Sequence, residues 1–245
     1  MNRLKKLARI LTANMYVRGL RHGVAAAIEH EKIVRQLSFS TLVDIGANKG
    51  QFSLVVRALK PRAYIIAFEP MRPAAERFRA LFHKDERVIL HECAIGPTEG
   101  ETKMYISRRD DSSSLLPITE RQVAQFPGTG LERIEKIKVC RLENRLHREE
   151  LTPPVLLKID VQGYELESLR GCAEFLDLID IIIVECSFVE LYKGQALAYQ
   201  VIDHLHGKDF RLSGVYNLSS DKSGMPVQAD FLFESPKINR SIDPE

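Results

Sequence analysis

The chain predicts an open α/β sheet, mostly parallel, with an antiparallel hairpin at its C-terminal end and a helical extension at its N-terminus. Three observations carry that prediction. Apolar runs of strand length recur from residue 41 onward, and four of them end in an acid: Asp44, Glu69, Asp160 and Glu185. Segments of helical length separate most of these runs, as parallel neighbours require, because only a crossover returns the chain to the same end of a sheet. Finally, the first run passes through Val43-Asp44-Ile45-Gly46-Ala47-Asn48-Lys49-Gly50 into a new helix, a sharp strand-to-helix turn bracketed by glycines.

A length of 245 residues suits one such sheet with embellishments. Hydrophobic residues make up 44% and charged residues 28%, enough for a sizeable core under a soluble surface. A net charge of +2 gives no reason to expect a nucleic-acid partner. No apolar run reaches membrane-spanning length, and no signal-peptide core is visible. Cys93, Cys140, Cys172 and Cys186 are widely spaced with no C-x-x-C pair, so they read as reduced core thiols of a cytoplasmic protein.

Residues 1–39 form the helical extension. Arg3, Lys5, Lys6, Arg9, Arg18 and Arg21 precede the first acid, Glu29, while Leu4, Leu7, Leu11 and Met15 recur at helical spacing. A basic amphipathic helix of this kind suits weak contact with an anionic membrane surface. Packing on the domain is the favoured expectation, since surface helices are amphipathic as a rule.

The domain itself spans 40–234. A strand at 41–45 leads into a helix over about 51–58, and Pro61 punctuates its exit. A second strand, 64–68, is followed by a helix that starts near Pro73, tolerated in a first turn, and runs to about His83. A third strand, 88–93, ends in the turn 94–97. The period then breaks. Short strands at 102–107 and 136–141 flank a polar stretch, 108–130, which suits a substrate lid and a plain surface loop equally well. Alternation resumes with a strand at 155–159, a helix over about 164–176, a strand at 181–185 and a helix at 196–206. Strands at 210–216 and 229–234 follow with no helix between them, so they form an antiparallel hairpin at the sheet edge. Residues 235–245 read as a polar tail. Ligands of such sheets sit beyond the carboxyl ends of the strands, where the four acids lie.

The glycine spacing selects the ligand. A dinucleotide loop needs G-x-G-x-x-G, so that its middle glycine lets the backbone approach a pyrophosphate. Here three residues separate Gly46 from Gly50, and Asp44 precedes them. A carboxylate at that point serves a pyrophosphate badly and a cation well, which disfavours an NAD enzyme. Glu69, nineteen residues after Gly50, is spaced to accept hydrogen bonds from both hydroxyls of a ribose. A ribose beside a cation, without phosphate, describes S-adenosylmethionine.

With Phe68-Glu69-Pro70 and Leu157-Lys158-Ile159-Asp160-Val161-Gln162-Gly163-Tyr164-Glu165 added to the glycine turn, the chain resembles the FkbM family of S-adenosylmethionine-dependent methyltransferases over residues 40–234. The resemblance implies a Rossmann-like methyltransferase fold and an O-methyltransferase acting on a hydroxyl of a sugar, glycolipid or secondary metabolite. It implies that Asp44, Gly46, Ala47, Asn48 and Gly50, with Phe52 just beyond, hold the methionine part of the cofactor. Glu69, followed by Pro70, would take the ribose hydroxyls, and Cys93 and Ala94 would border the adenine. The family commonly carries an acid where this chain has Gln162.

Methyl transfer to oxygen is an in-line displacement, and an alcohol attacks poorly until a base or a metal deals with its proton. Asp160, beside the cofactor's methyl end, is the first candidate for orienting or deprotonating the acceptor. Glu165 is the second and Glu185 the third. Each has a plainer reading: Asp160 as a helix cap, Glu165 as a first-turn acid, Glu185 as the partner of a buried cation. His204 and His206 fall on opposite sides of a helix and His91 alternates within a strand, so no His-rich ligand set is visible and no metal is expected. The alternatives are a nucleic-acid methyltransferase and a non-catalytic binding module. The first wants stacking aromatics and a basic rim, yet the chain has no Trp and its densest basic cluster lies in the extension.

Overall fold

In the computed structural model, which describes residues 13–238, strands and helices alternate much as the sequence predicts. The strands are β1 (Thr41–Ile45), β2 (Tyr64–Phe68), β3 (Val88–His91), β4 (Ala94–Ile95), β5 (Gly100–Ser107), β6 (Leu131–Cys140), β7 (Val155–Ile159), β8 (Ile181–Ser187), β9 (Arg211–Ser220) and β10 (Pro226–Glu234). The helices are α1 (Asn14–Arg21), α2 (Glu31–Gln36), α3 (Gln51–Leu59), α4 (Arg72–Phe82), α5 (Glu120–Gln125), α6 (Glu165–Gly171) and α7 (Ala198–His206). Seven strands form one sheet in the order β3-β2-β1-β7-β8-β10-β9, and β4-β6-β5 form a smaller one.

β1 and β7 are buried along their whole length on both faces, which is why they read as continuous apolar runs. Val43, Ile45, Leu157 and Ile159 face one layer, shared with Leu166 and Leu169 of α6 and Val201 and Leu205 of α7. Leu42 and Leu156 face the other, with Leu54 and Val55 of α3, Phe78 and Leu81 of α4, and Tyr16 and Val34 of the extension. Each large aliphatic side chain so buried contributes about 1.5–3 kcal/mol, so these two layers dominate the stability. The described part of the extension is therefore packed on the domain. Arg18 donates to the Leu81 carbonyl at 2.7 Å, and a Cβ at Gly19 would lie 2.4 Å from Leu54 Cδ2. Residues 1–12, with most of the basic amphipathic pattern, lie outside the described residues. Among the described residues no helix is long and apolar enough to cross a membrane.

The pairings from β3 across to β8 are all parallel. The predicted hairpin is present, but its second strand is internal. β10 pairs antiparallel with both β8 and β9, leaving β9 at the edge. Burial explains the order: Ala229, Phe231, Leu232 and Phe233 of β10 are all in the core, whereas β9 exposes Val215 and Leu218. α3 and α4 cover one face of the sheet, and α6 and α7 the other. The strand order reverses between β1 and β7, and a switch point of this kind opens a crevice beyond the strand ends.

Three expectations need correction. Cys93, just after β3, and Cys140, at the end of β6, form a disulfide with Cα atoms 6.4 Å apart, so only Cys172 and Cys186 remain free thiols. Parallel pairing of β4 with β6 brings these two cysteines together although they are 47 residues apart, which spacing along the chain does not reveal. The helix expected over 164–176 stops at Gly171, packed against the Gly96 backbone, and continues as the 3-10 turn Ala173–Leu178. The polar tail starts later than 235, since Ser235 is buried and Ile238 packs against the core.

Candidate active site

A cavity of about 610 Å³ opens at the switch point, within the size range of small-molecule sites. Its walls come from the ends of β1, β2, β7 and β8, from residues 23–30 of the extension, and from the 110–115 part of the polar insertion. The first part of the insertion is thus a cavity wall. Lys49 and Asp110 pair at 2.5 Å, and Ser114 Oγ donates to the Gln162 carbonyl at 2.5 Å.

The glycine turn fits tightly against the end of β7. Gly46 has φ +79°, and a Cβ there would lie 2.0 Å from the Asp160 carbonyl oxygen, so no other residue fits. A glycine turn opening a helix can offer its N–H groups to a ligand. Instead, five consecutive donors are used inside the chain. Gly46 and Ala47 both donate to the Phe68 carbonyl, Asn48 to Glu69 Oε2, Lys49 to Gln51 Oε1 and Gly50 to the Ala47 carbonyl.

Glu69 is 3% exposed and lines the cavity. Its Oε2 accepts from Asn48 N at 2.8 Å and its Oε1 from Met71 N at 2.7 Å. Each oxygen retains a lone pair for a further donor. Burial pushes its pKa up to about 7, against the pull of those two N–H groups. Ala47, Asn48, Phe52, Pro70 and Ala94 also line the cavity. Asp44 and Cys93 do not: Asp44 is fully buried and accepts from Ser53 Oγ at 2.6 Å, and Cys93 is held in its disulfide. Burial raises the Asp44 pKa, with Lys158 opposing.

At the end of β7, Lys158 is 4% exposed, with its Nζ 3.0 Å from Asp160 Oδ2 and 5.6 Å from the Phe52 ring centre. Burial alone would push the Lys158 ammonium down, but Asp160 and Asp44 beside it hold it above the ordinary lysine value. Burial likewise works against ionised Asp160, yet Lys158 and Gln162 hold it below the usual carboxylate range. Gln162 Nε2 donates to Asp160 Oδ1 at 2.8 Å and to Glu185 Oε2 at 3.0 Å. An amide at position 162 therefore bridges two carboxylates that an ionised acid would repel. Glu185 Oε1 accepts from Gln228, and its burial, with Asp160 and Asp230 nearby, raises its pKa well above the ordinary value.

Of the three predicted catalytic acids, Asp160 and Glu185 line the cavity together. Glu165 does not. Its Oε1 accepts from Gly163 N at 2.9 Å and Val161 N at 3.3 Å, which secures the turn after β7. The cavity residues that escaped the sequence reading include His30 and Asp230. His30 Nε2 lies 2.9 Å from Asp230 Oδ2, which also accepts from Asn217 Nδ2 at 2.7 Å. His30 precedes every recognisable motif, and the available signal for Asp230 was a lone acid within the apolar run Ala229–Phe233.

This geometry sits within a recognisable sequence family. A family model described as the methyltransferase FkbM domain matches residues 44–212. The chain is similar to the 2-O-methyltransferase NoeI of Sinorhizobium fredii, 27% identical over 198 residues, which are 78% of this chain and 82% of that protein. It is similar to Methyltransferase 1 of Beauveria bassiana, 29% identical over 159 residues, 60% of this chain and 64% of that one. Among solved structures, a protein in the NADB-Rossmann superfamily from Streptococcus agalactiae superposes with a TM-score of 0.50 at 7% identity, covering 88% of this chain and 71% of that one. The last likeness bears on the fold alone.

Proposed function

This chain belongs to the FkbM family of methyltransferases, and we propose that it moves the methyl group of S-adenosylmethionine onto a hydroxyl of a sugar, glycolipid or secondary metabolite. The observation that carries the cofactor reading is the union of Glu69 with the 46–50 turn. With its five N–H groups already engaged, the turn has no donors left for a pyrophosphate. Glu69 keeps a lone pair on each oxygen for the two ribose hydroxyls.

In this reading Gly46, Ala47, Asn48 and Phe52 hold the methionine part, Glu69 and Pro70 the ribose, and Ala94 the adenine edge, while Gly50, off the cavity wall and against Phe78 and Phe82, shapes the turn. Cys93 supports that edge from behind. Asp44 contributes negative charge from below the wall rather than a direct contact. When bound, S-adenosylmethionine supplies an electrophilic methyl group on a sulfonium. Asp160, ionised beside Lys158, accepts a hydrogen bond from a polar group of the acceptor next to the reacting hydroxyl and so positions the attacking oxygen. Glu185, Gln162, Asn217 and Asp230 surround it with carboxylates and amides, the groups that bind polyols. The relative named as a 2-O-methyltransferase supports oxygen as the accepting atom.

The test is incubation with trideuteromethyl-labelled S-adenosylmethionine and a pool of methyl glycosides, followed by mass spectrometry. A labelled methyl ether is expected. Label on an amine or on added RNA, with none on the glycosides, overturns the reading.

A further inference from the structure

We propose that His30, oriented by Asp230, accepts the proton of the acceptor hydroxyl during methyl transfer, an inference that rests on the methyltransferase reading above. Both residues lie outside the 44–212 span of the family match, yet both line the cavity that the family's motifs build. The extension and the last strand thus bring to the site chemistry that the core motifs lack.

The carboxylates on and around the cavity are poorly suited to that step. Asp160 has one oxygen on Lys158 and the other on Gln162, and it is held below the usual carboxylate range. A carboxylate so stabilised is a weak base. Glu185 accepts from amides at both oxygens, and Glu69 and Glu165 are taken by backbone N–H groups.

His30 differs. Asp230 can only accept, so the proton shared with it sits on Nε2, and Nδ1 carries the lone pair. That Nδ1 is buried without a hydrogen-bond partner among the described residues. An unpaired buried acceptor is unfavourable, and an acceptor hydroxyl supplies the missing donor. Asn217 holds Asp230 in turn, and the His30 ring packs edge-on against Phe52, 5.1 Å between centres. A carboxylate that fixes the tautomer of an imidazole and stabilises its cation is the recurring arrangement for taking a hydroxyl proton.

The surroundings favour proton uptake. Burial opposes an imidazolium, as does Lys158, but Asp230 outweighs them, with Glu29 adding to it; Asp44 and Asp160 also present negative charge to the ring. In the step, the acceptor oxygen forms the new bond to the methyl carbon. The carbon–sulfur bond breaks with its electron pair left on sulfur, and the hydroxyl proton passes to Nδ1. His30 ends as an imidazolium paired with Asp230 and returns its proton to solvent after product release.

The test compares wild type, His30→Gln and Asp230→Asn. Its readouts are single-turnover transfer to the methyl glycoside pool, calorimetric S-adenosylmethionine binding, and NMR titration of the His30 ring. His30→Gln is expected to lose transfer by about a hundredfold or more while binding the cofactor within a few-fold of wild type. In Asp230→Asn, the acid limb of kcat/KM and the His30 titration both move to lower pH, because the group favouring the imidazolium is gone. A merely structural role would move the His30 titration but leave the acid limb of kcat/KM where it is in wild type. Wild-type transfer by His30→Gln overturns the proposal. So does a His30 that fails to titrate between about pH 5 and 9, or that titrates identically in Asp230→Asn, even where His30→Gln fails to fold. Absence of transfer by wild type to every glycoside would instead count against the sugar reading, and the titration would still decide the His30–Asp230 pair.

Discussion

Lys158 Nζ sits 3.0 Å from Asp160 Oδ2, and the same lysine is in register with Asp44 on the neighbouring strand. One buried ammonium therefore serves two acids of the site, one on the cavity wall and one beneath it. Lys158→Met removes the cation and leaves both carboxylates uncompensated. Breaking a buried pair from one side costs roughly 3–5 kcal/mol, and urea unfolding should register a loss of that order. A loss below about 1 kcal/mol would mean that the pair is solvated in solution.

If Glu69 holds the ribose as proposed, it links cofactor affinity to pH. Its pKa in the folded protein stands at about 7, raised from 4.5, and ribose hydroxyls donate to the ionised form. Binding below neutrality must therefore expel a proton. Affinity should rise roughly tenfold per pH unit up to about pH 7 and level off above it. The same raised pKa favours folding below 4.5, and that contribution is lost as pH rises through about 7. Calorimetry in two buffers of different ionisation enthalpy reads the proton release directly. Affinity that is flat between pH 6 and 8 would contradict the assignment.

Glu69→Ala should abolish that pH dependence and lower S-adenosylmethionine affinity at least about tenfold, because two charge-assisted hydrogen bonds are lost. The check is calorimetry at pH 8 with circular dichroism to verify the fold. Unchanged affinity in the folded variant would remove Glu69 from the cofactor site.

Gly46→Ala and Gly224→Ala separate close contact from backbone strain. Both glycines have positive φ, +79° and +88°, but a Cβ at Gly224 meets nothing within 4 Å, whereas one at Gly46 strikes the Asp160 carbonyl. Gly224→Ala should cost about 1–3 kcal/mol from strain alone. Gly46→Ala should cost more and should also lose cofactor binding. Equal thermal shifts in the two variants would show that the turn is not pressed against β7.

What the sequence made legible was local. β1, β7 and all of β2 but Tyr64 are buried, so the acids closing those runs stand out against apolar residues. The turn between Gly46 and Gly50 declares itself by spacing. What was hidden depends on contacts between distant parts of the chain. His30 and Asp230 are 200 residues apart, and Cys93 and Cys140 47 apart, with no period that relates either pair. Glu165 was ambiguous because a first-turn acid and a cavity acid look alike until the N–H groups of Val161 and Gly163 are seen to hold it. Asp44 was read as a cofactor contact, yet a carboxylate at the end of a buried strand can equally turn inward, and this one turns to Ser53.

The most direct test of the account is single-turnover methyl transfer by Asp160→Asn to the methyl glycoside pool, with S-adenosylmethionine binding measured alongside. In the proposed reading cofactor contacts come mainly from the β1 and β2 ends and Asp160 orients the acceptor, so binding should stay within a few-fold of wild type. Transfer should slow by about a hundredfold, the cost of a misplaced nucleophile. Near-normal transfer would reduce Asp160 to the partner of Lys158 and contradict the account.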